Sequence, residues 1–258
     1  MWNWLLSSLM TGATIVLYDG NPMYPDLGAM WRIIEDEHIT IFGTSATYLN
    51  FIKNQGLLPG KEHDLSSLRE INQTGSPLSA EGWEWVYEAV KQDLYFCSIS
   101  GGTDFNGAFA GGNLLTPVYA GRMHGWTLAK RCKAYGPDGN EVLDQQGELV
   151  CEAAIPSMPL YFWDDPTGER YHAAYFSVYP GKWRHGDFIQ VHSDTGTITI
   201  YGRSDSTLNP SGVRIGTAEI YNQVEKLEGV ADSVAIGQDY KGDQRIILFV
   251  KLAPGYEL

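Results

Sequence analysis

Apolar positions along the first hundred residues fall in short blocks of alternating type. "ATIVLYD", "ITIFG", "LREINQTG" and "LYFCSIS" carry β-branched and aromatic residues in runs of strand length. Between them "LGAMWRIIEDE", "SATYLNFIKN" and "SAEGWEWVYEAVKQ" repeat apolar residues every three to four positions, the period of a helix with one buried face. Such alternation with short joints predicts a parallel sheet covered by helices. Ser79, before "AEGWEW", reads as a helix N-cap. The opening "MWNWLLSSLM" has no basic n-region and its apolar run is broken by Ser7, Ser8 and Thr11, so it reads as a core helix and not as a signal peptide.

From about Pro117 the pattern shortens. "GWTLAKRCKAYGPDGNEVLDQQGELVCEAAI" and "WRHGDFIQVHSDTGTITIYGR" alternate over a few residues around Gly- and Asp-rich turns, which predicts hairpins and an antiparallel, barrel-like subdomain. Beyond Ser204 a helix from about Thr217 to Lys226 precedes two strands around a Gly-Asp turn. A helix and one hairpin are too small for a core of their own. The expected organisation is therefore an α/β fold in three parts: residues 1–116 as a parallel-sheet unit, 117–204 as the antiparallel unit, and 205–258 as the start of a small α+β unit.

Composition narrows the function. A net charge of −13 argues against a nucleic-acid surface or a polybasic membrane contact, which need clustered Lys and Arg. It leaves room for small anionic ligands gripped by a few arginines. Three widely spaced cysteines and six scattered histidines form no CxxC, HxH or HExxH spacing, so neither a disulfide framework nor a protein-bound transition metal is expected. A reducing, cytoplasmic setting fits that usage.

In open parallel sheets ligands lie beyond the carboxyl ends of the strands. Three loops there are rich in small and hydroxyl residues: "FGTS", "TGSPLS" and "SGGTDFNGAFAGG". They let a flat ring or a phosphate approach the main chain closely. None matches GxGxxG opening a helix or GxxxxGK[ST], so neither a Rossmann nor a Walker site is read. "YGRSDSTLNPSGVRIGTAEI" gathers Arg203, Asp205, Asn209, Ser211, Gly212 and Arg214 at a junction between units, where a ligand can be held from both sides and a hinge can sit.

"WRHGD" followed by "YGRSDSTLNPSGVRIGTAEI" resembles two consecutive signature motifs of the adenylate-forming acyl-CoA synthetases, in the same order and at similar spacing. "TGSPLSAEGWEW" and "SGGTD" resemble that superfamily's adenine-binding and acyl/phosphate motifs. Within it, "MWNWLLSSLMTGATIVLYDG", "SGGTD", "PSMPLYFW" and "LNPSGVRIGTAEIY" are most similar to the ligases that act on acetoacetate. The resemblance covers essentially the whole chain.

The resemblance implies acetoacetate, ATP and coenzyme A as small-molecule substrates, with Mg²⁺ as activating ion. An acyl-adenylate forms with release of pyrophosphate, and the thiol of coenzyme A then displaces AMP. It implies that Asp187 accepts the ribose hydroxyls and Arg203 helps hold the ribose. Gly75, Ser76 and Pro77 would line the adenine. Thr103 would bind the α-phosphate, Arg214 would reach phosphate, and Asp104 would help hold Mg²⁺. Asp205 would be the hinge, with Ser211 and Gly212 beside the pantetheine path. Ser100, Gly101 and Gly102 would border the acyl pocket. Gly101 stands where acetate-specific relatives place a tryptophan, so the resemblance implies room for a larger acid.

Two departures stand beside these roles. Asp104 occupies a position where many relatives have glutamate, and Ser76 replaces an acidic residue. The superfamily's phosphate loop and terminal-domain lysine fall outside Met1–Leu258, so the chain is expected to be an internal segment with little activity by itself and prone to self-association. A ligase for another short or medium-chain acid, and a non-catalytic adenylate-binding module, remain open alternatives.

Overall fold

The computed structural model describes residues 2–204, 208, 215–224, 226–240 and 243–257. Its first unit contains helix α1 (Trp2–Leu9), helix α2 (Ala29–Asp36), strand β1 (Ile41–Ser45), helix α3 (Ala46–Asn54), a short helix α4 (Pro59–Glu62), strand β2 (Glu70–Thr74), helix α5 (Ala80–Trp85) and strand β3 (Tyr95–Ser98). These strands form a three-stranded sheet in the order β1-β2-β3, and both pairings are parallel. The alternation of types thus gives the sheet expected of it. Helix α5 runs directly into a π-helical turn, Val86–Val90, and Ser79 caps its start by accepting from the Gly82 N–H at 3.3 Å.

The core of this unit is built from the apolar faces of α2, α3 and α5 against the sheet, with Trp31, Leu49, Ile52, Leu68, Ile71, Trp83 and Phe96 fully or almost fully buried. Trp83 meets Phe96 edge-on at 4.6 Å between centroids. Truncating a residue such as Trp31 or Trp83 to alanine costs about 3–5 kcal/mol.

Two expectations for the N-terminal stretch do not hold. The run "ATIVLYD", residues 13–19, belongs to no ladder, and Val16, Leu17 and Tyr18 are exposed. A β-branched run is compatible with a strand, but a strand also needs a hydrogen-bonded neighbour, and none lies beside this one among the described residues. Helix α1 forms, yet Leu6 and Leu9 on it and Met10 just beyond it are exposed, so its described side chains do not join a core.

Beyond β3 lie β4 (Ser100–Gly102), β5 (Gly107–Gly111) and β6 (Gly125–Trp126), a small antiparallel sheet in the order β4-β5-β6. Strands β7 (Cys132–Tyr135), β8 (Gly147–Cys151), β9 (Trp183–Val191) and β10 (Ile198–Arg203) form a four-stranded antiparallel sheet in the order β10-β9-β8-β7. The hairpin reading is therefore right in kind, with one correction: the sheet is open. β7 and β10 are its edges, touched only by single bridges, Tyr135 to Glu141 and Ile198 to Met123, so no barrel closes among the described residues. Helix α6 (Glu169–Tyr175) lies against β9.

A second core joins Phe105, Phe109, Met123, Cys132, Leu149, Cys151, Ile155, Trp183, Ile189 and Ile198. Phe105 and Phe109 precede the change of pattern near Pro117, yet they pack here and not in the first core. The last unit is helix α7 (Thr217–Val224) and a long hairpin of β11 (Val230–Tyr240) and β12 (Asp243–Leu252). Of the Gly-Asp pair expected to turn between those strands, Gly242 lies outside the described residues and Asp243 is the first residue of β12.

Candidate functional site

The site grows from the carboxyl end of the parallel sheet. At the end of β2 the Thr74 hydroxyl donates to the Ile99 carbonyl at 2.8 Å, which ties the Gly75–Pro77 loop to the start of β4. Gly75 takes a left-handed φ of +99° and is exposed together with Ser76, so the main chain turns there with its face open. Just behind, Gln73 donates to the Ser98 hydroxyl and Cys97 to the Asn72 side-chain oxygen. The wall beneath the loop is thus polar, with Gln73 Oε1 left without a hydrogen-bond partner.

Strand β4 leads into a tight turn, residues 103–106, that exposes Thr103 and Asp104. Asp104 is fixed on both oxygens. Oδ1 accepts from the Phe105 N–H at 3.1 Å, and Oδ2 accepts from the Tyr175 hydroxyl at 2.6 Å. Tyr175 in turn stacks flat on Trp183, with ring centroids 3.6 Å apart and planes 13° apart. Burial first, then the bond to Asp104, pushes the Tyr175 phenol up from its ordinary value, so it remains a proton donor.

Gly102 leaves room for this arrangement. A Cβ on it would stand 2.0 Å from Asp104 Oδ1 and 3.1 Å from His185 Cε1. A side chain at position 102 would therefore have to displace the Asp104 carboxylate from this arrangement.

Strand β9 supplies the other wall. Its two-residue period puts Trp183, His185 and Asp187 on one face, and all three are buried. The Trp183 indole N–H donates to His185 Nδ1 at 3.3 Å. An indole can only donate, so the proton of the neutral imidazole lies on Nε2, which points toward Asp187 Oδ2 at 3.7 Å. Phe105 and Phe109 pack edge-on against the same ring.

Asp187 sits opposite Arg203 in the β9–β10 ladder, with Nη1 3.5 Å from Oδ1. A buried carboxylate is sustained only with such partners. Asp104, Tyr175, His185, Asp187 and Arg203 thus converge, and the Gly75–Pro77 loop joins them through Thr74 and Ile99. A buried acceptor, an exposed guanidinium and an exposed hydroxyl next to open main chain can hold a polar, anionic ligand with a flat ring.

One expected contact takes a different form. A Cβ at Gly101 would meet the Gly107 carbonyl oxygen at 2.0 Å and the Ala108 Cα at 2.6 Å. The missing side chain there lets β4 and β5 pair closely and does not leave a void. Asp205, Ser211, Gly212 and Arg214 lie outside the described residues, and the structure says nothing of them. The residue leading to them is held firmly: the Ser204 N–H donates to the Gly186 carbonyl at 2.7 Å, its hydroxyl donates to Glu148 Oε1 at 2.9 Å, and Arg184 donates to its Oγ at 3.1 Å.

Sequence reasoning assigned no role to Tyr175, His185 or Glu148. The strand period of "WRHGD" was the signal available for His185. Tyr175 carried none, because its partner is far away in sequence.

A model of the family described as AMP-binding enzyme matches residues 1–155. The chain belongs to the AMP-binding enzyme family. Among curated proteins, this AMP-binding enzyme chain is 50% identical over 258 residues to the acetoacetyl-coenzyme A synthetase of Rhizobium meliloti (strain 1021), covering 100% of the chain and 40% of that protein. It is 45% identical to the acetoacetyl-CoA synthetase of Xenopus tropicalis, covering 100% of the chain and 38% of that protein. Among solved structures, the acetoacetyl-CoA synthetase from Streptomyces lividans superposes with a TM-score of 0.88 at 44% identity, over 100% of the chain and 39% of that structure. The anthranilate CoA ligase AuaEII in complex with anthranoyl-AMP superposes with a TM-score of 0.76 at 21% identity, over 96% of the chain and 45% of that structure, a likeness of fold alone. The AMP-binding chain therefore spans about 40% of the length of the curated relatives it matches.

Proposed function

We propose that this chain is part of an ATP-dependent acid–thiol ligase that joins acetoacetate to coenzyme A through an acyl-adenylate. The observation that carries the reading is the identity of 44–50% to acetoacetyl-CoA synthetases along the whole chain.

In this reading the Gly75–Pro77 main chain lines the adenine, and Asp187 accepts from the two ribose hydroxyls, as an acceptor-only carboxylate suits a vicinal diol. Arg203 steadies Asp187 and the ribose. Thr103 donates to the α-phosphate and Arg214 adds a forked cationic contact. Ser100 and Gly102 border the acyl group with main chain. Asp205 is the hinge of a C-terminal unit that begins there, and Ser211 and Gly212 flank the path of the thiol.

Among the described residues no group of three or more His, Cys, Asp or Glu side chains is placed to hold a metal ion. Mg²⁺ that arrives with ATP needs only one or two carboxylates in addition to the phosphates. Asp104, exposed and held rigidly, fits that limited demand, and the ion would offset phosphate charge there. Both half-reactions develop anionic charge, which fixed donors and cations stabilise better than mobile water. No helix among the described residues is long and apolar enough to cross a membrane.

The test is acid-dependent formation of AMP from ATP with Mg²⁺ and coenzyme A in the full-length protein that carries this segment. Acetoacetate should exceed acetate, butyrate and benzoate. Equal or better use of another acid would move the assignment to that acid. Adenylate binding without turnover of any acid would leave a binding module.

A further inference from the structure

Cys132 and Cys151 face each other across the β7–β8 ladder, and both are free thiols buried in the second core. The neighbouring pair fixes the geometry. The Glu152 N–H donates to the Arg131 carbonyl at 2.8 Å, so 131 and 152 form a hydrogen-bonded pair. The adjacent 132–151 pair is therefore of the non-hydrogen-bonded kind, in which opposed Cα atoms stand about 4.5 Å apart. Disulfides span Cα separations of about 4.4–6.8 Å. Opposed residues also leave a sheet on the same side, so the two side chains project together.

The two sulfurs are not equivalent. Cys151 borders an apolar cavity of about 370 Å³, with Met158, Leu160, Tyr171, Phe176 and Trp183 around it. Its thiol donates to the Ala153 carbonyl at 3.2 Å. The adjacent Cys132 shifts Cys151 toward the thiolate, whereas Cys151 and burial push Cys132 up. Cys97, by contrast, lies on β3, donates to Asn72, and is pushed up to about 12 by burial. It has no opposed cysteine and serves as an internal control.

We propose that Cys132 and Cys151 form a redox site that takes a small peroxide through the cavity and closes to a cross-strand disulfide. The Cys151 thiolate attacks one peroxide oxygen, the O–O bond breaks, and Cys151 becomes a sulfenic acid as the departing hydroxide takes a proton and leaves as water. The Cys132 sulfur then attacks the Cys151 sulfur, the S–O bond breaks, and the oxygen leaves as a second water with the Cys132 proton. Two thiols lose two electrons and one peroxide gains them. A small thiol reopens the bond by exchange.

The experiment is oxidation of the native chain with stoichiometric hydrogen peroxide, followed by alkylation in denaturant, intact mass and peptide mapping. The expected product has lost two hydrogens, links the Cys132 and Cys151 peptides, retains an alkylatable Cys97, and returns to three thiols with dithiothreitol. In Cys132→Ser, a sulfenic acid trapped by dimedone should accumulate on Cys151. In Cys151→Ser, Cys132 should stay reduced over the same time. Should either variant fail to fold, mapping of the unsubstituted chain still decides. Three unreacted thiols, a bond involving Cys97, or linkage only after denaturant is added would overturn the proposal and leave two buried cysteines acting as small apolar residues.

Discussion

The Tyr175 hydroxyl and Asp104 Oδ2 are 2.6 Å apart although the residues are 71 positions apart in the chain. Because Tyr175 is also stacked on Trp183, the carboxylate inherits the rigidity of β9 and not the freedom of an exposed turn.

Tyr175→Phe keeps the ring and removes the donor. A hydrogen bond to a side chain is worth about 0.5–1.5 kcal/mol, or roughly 2- to 10-fold in an equilibrium constant. In the full-length protein the concentration of Mg²⁺ giving half-maximal activity should rise by that factor while the melting temperature stays nearly constant. Asp104→Asn should raise it further. An effect of Asp104→Asn without one of Tyr175→Phe would confine the fault to the anchoring role, whereas silence of both would remove Asp104 from the metal's surroundings.

Gly101→Ala should destabilise the chain strongly, because its Cβ would overlap the Gly107 carbonyl at 2.0 Å. Overpacking of this kind costs about 1–3 kcal/mol, and a clash with main chain lies at the upper end. Gly101→Trp should fail to fold and should not convert the chain to an acetate-selective form. Thermal unfolding monitored by circular dichroism reads both. A stable Gly101→Trp protein would restore the idea that an indole's volume is vacant there.

Glu152 gathers the Tyr135 hydroxyl at 2.5 Å and the cations of Arg131, Lys133 and Lys182. The Tyr135 bond foremost, helped by those charges, holds its carboxyl below the usual range. A depressed carboxyl pKa stabilises the fold above the unfolded value of about 4.3 and loses that contribution as pH falls through the folded value. Urea midpoints should therefore decline below about pH 4.5, and Glu152→Gln should flatten that decline. An unchanged pH profile in Glu152→Gln would assign the acid sensitivity to other carboxylates.

Glu148 joins three elements at once. It accepts from the Gly186 N–H at 3.0 Å and from Ser204, and it pairs with Arg184 at 3.1 Å. Glu148→Ala leaves Arg184 without its carboxylate and a buried N–H without an acceptor, a loss of about 3–5 kcal/mol when such a pair is broken. Chemical denaturation should register it, and limited proteolysis should cut near residue 204 sooner than in the unsubstituted chain. Equal cleavage rates would mean that Glu148 does not hold that segment.

What the sequence disclosed followed from periodicity. The three parallel strands, the helices between them and the β9–β10 hairpin each announce themselves within a dozen residues, because a buried face must recur with the element's own period. The run at 13–19 misled for a complementary reason: its β-branched residues specify backbone preference, while a ladder requires a neighbour that local sequence cannot name. Helix α6 passed unnoticed since it is short and opens at Gly168 with a φ of +73° in place of a polar cap. Its aromatic residues find their reason only in Trp183. Asp187 and Arg203 could be picked out because their motif is contiguous. His185 required the strand period as well, and the Asp104–Tyr175 bond has no local signature at all.

Ser204 is bound through its main chain to Gly186 and through its side chain to Glu148 and Arg184. In mechanical terms it is a clamped post at the end of β10. A pull on the chain beyond it meets that fixed end before it reaches the sheet that carries Asp187.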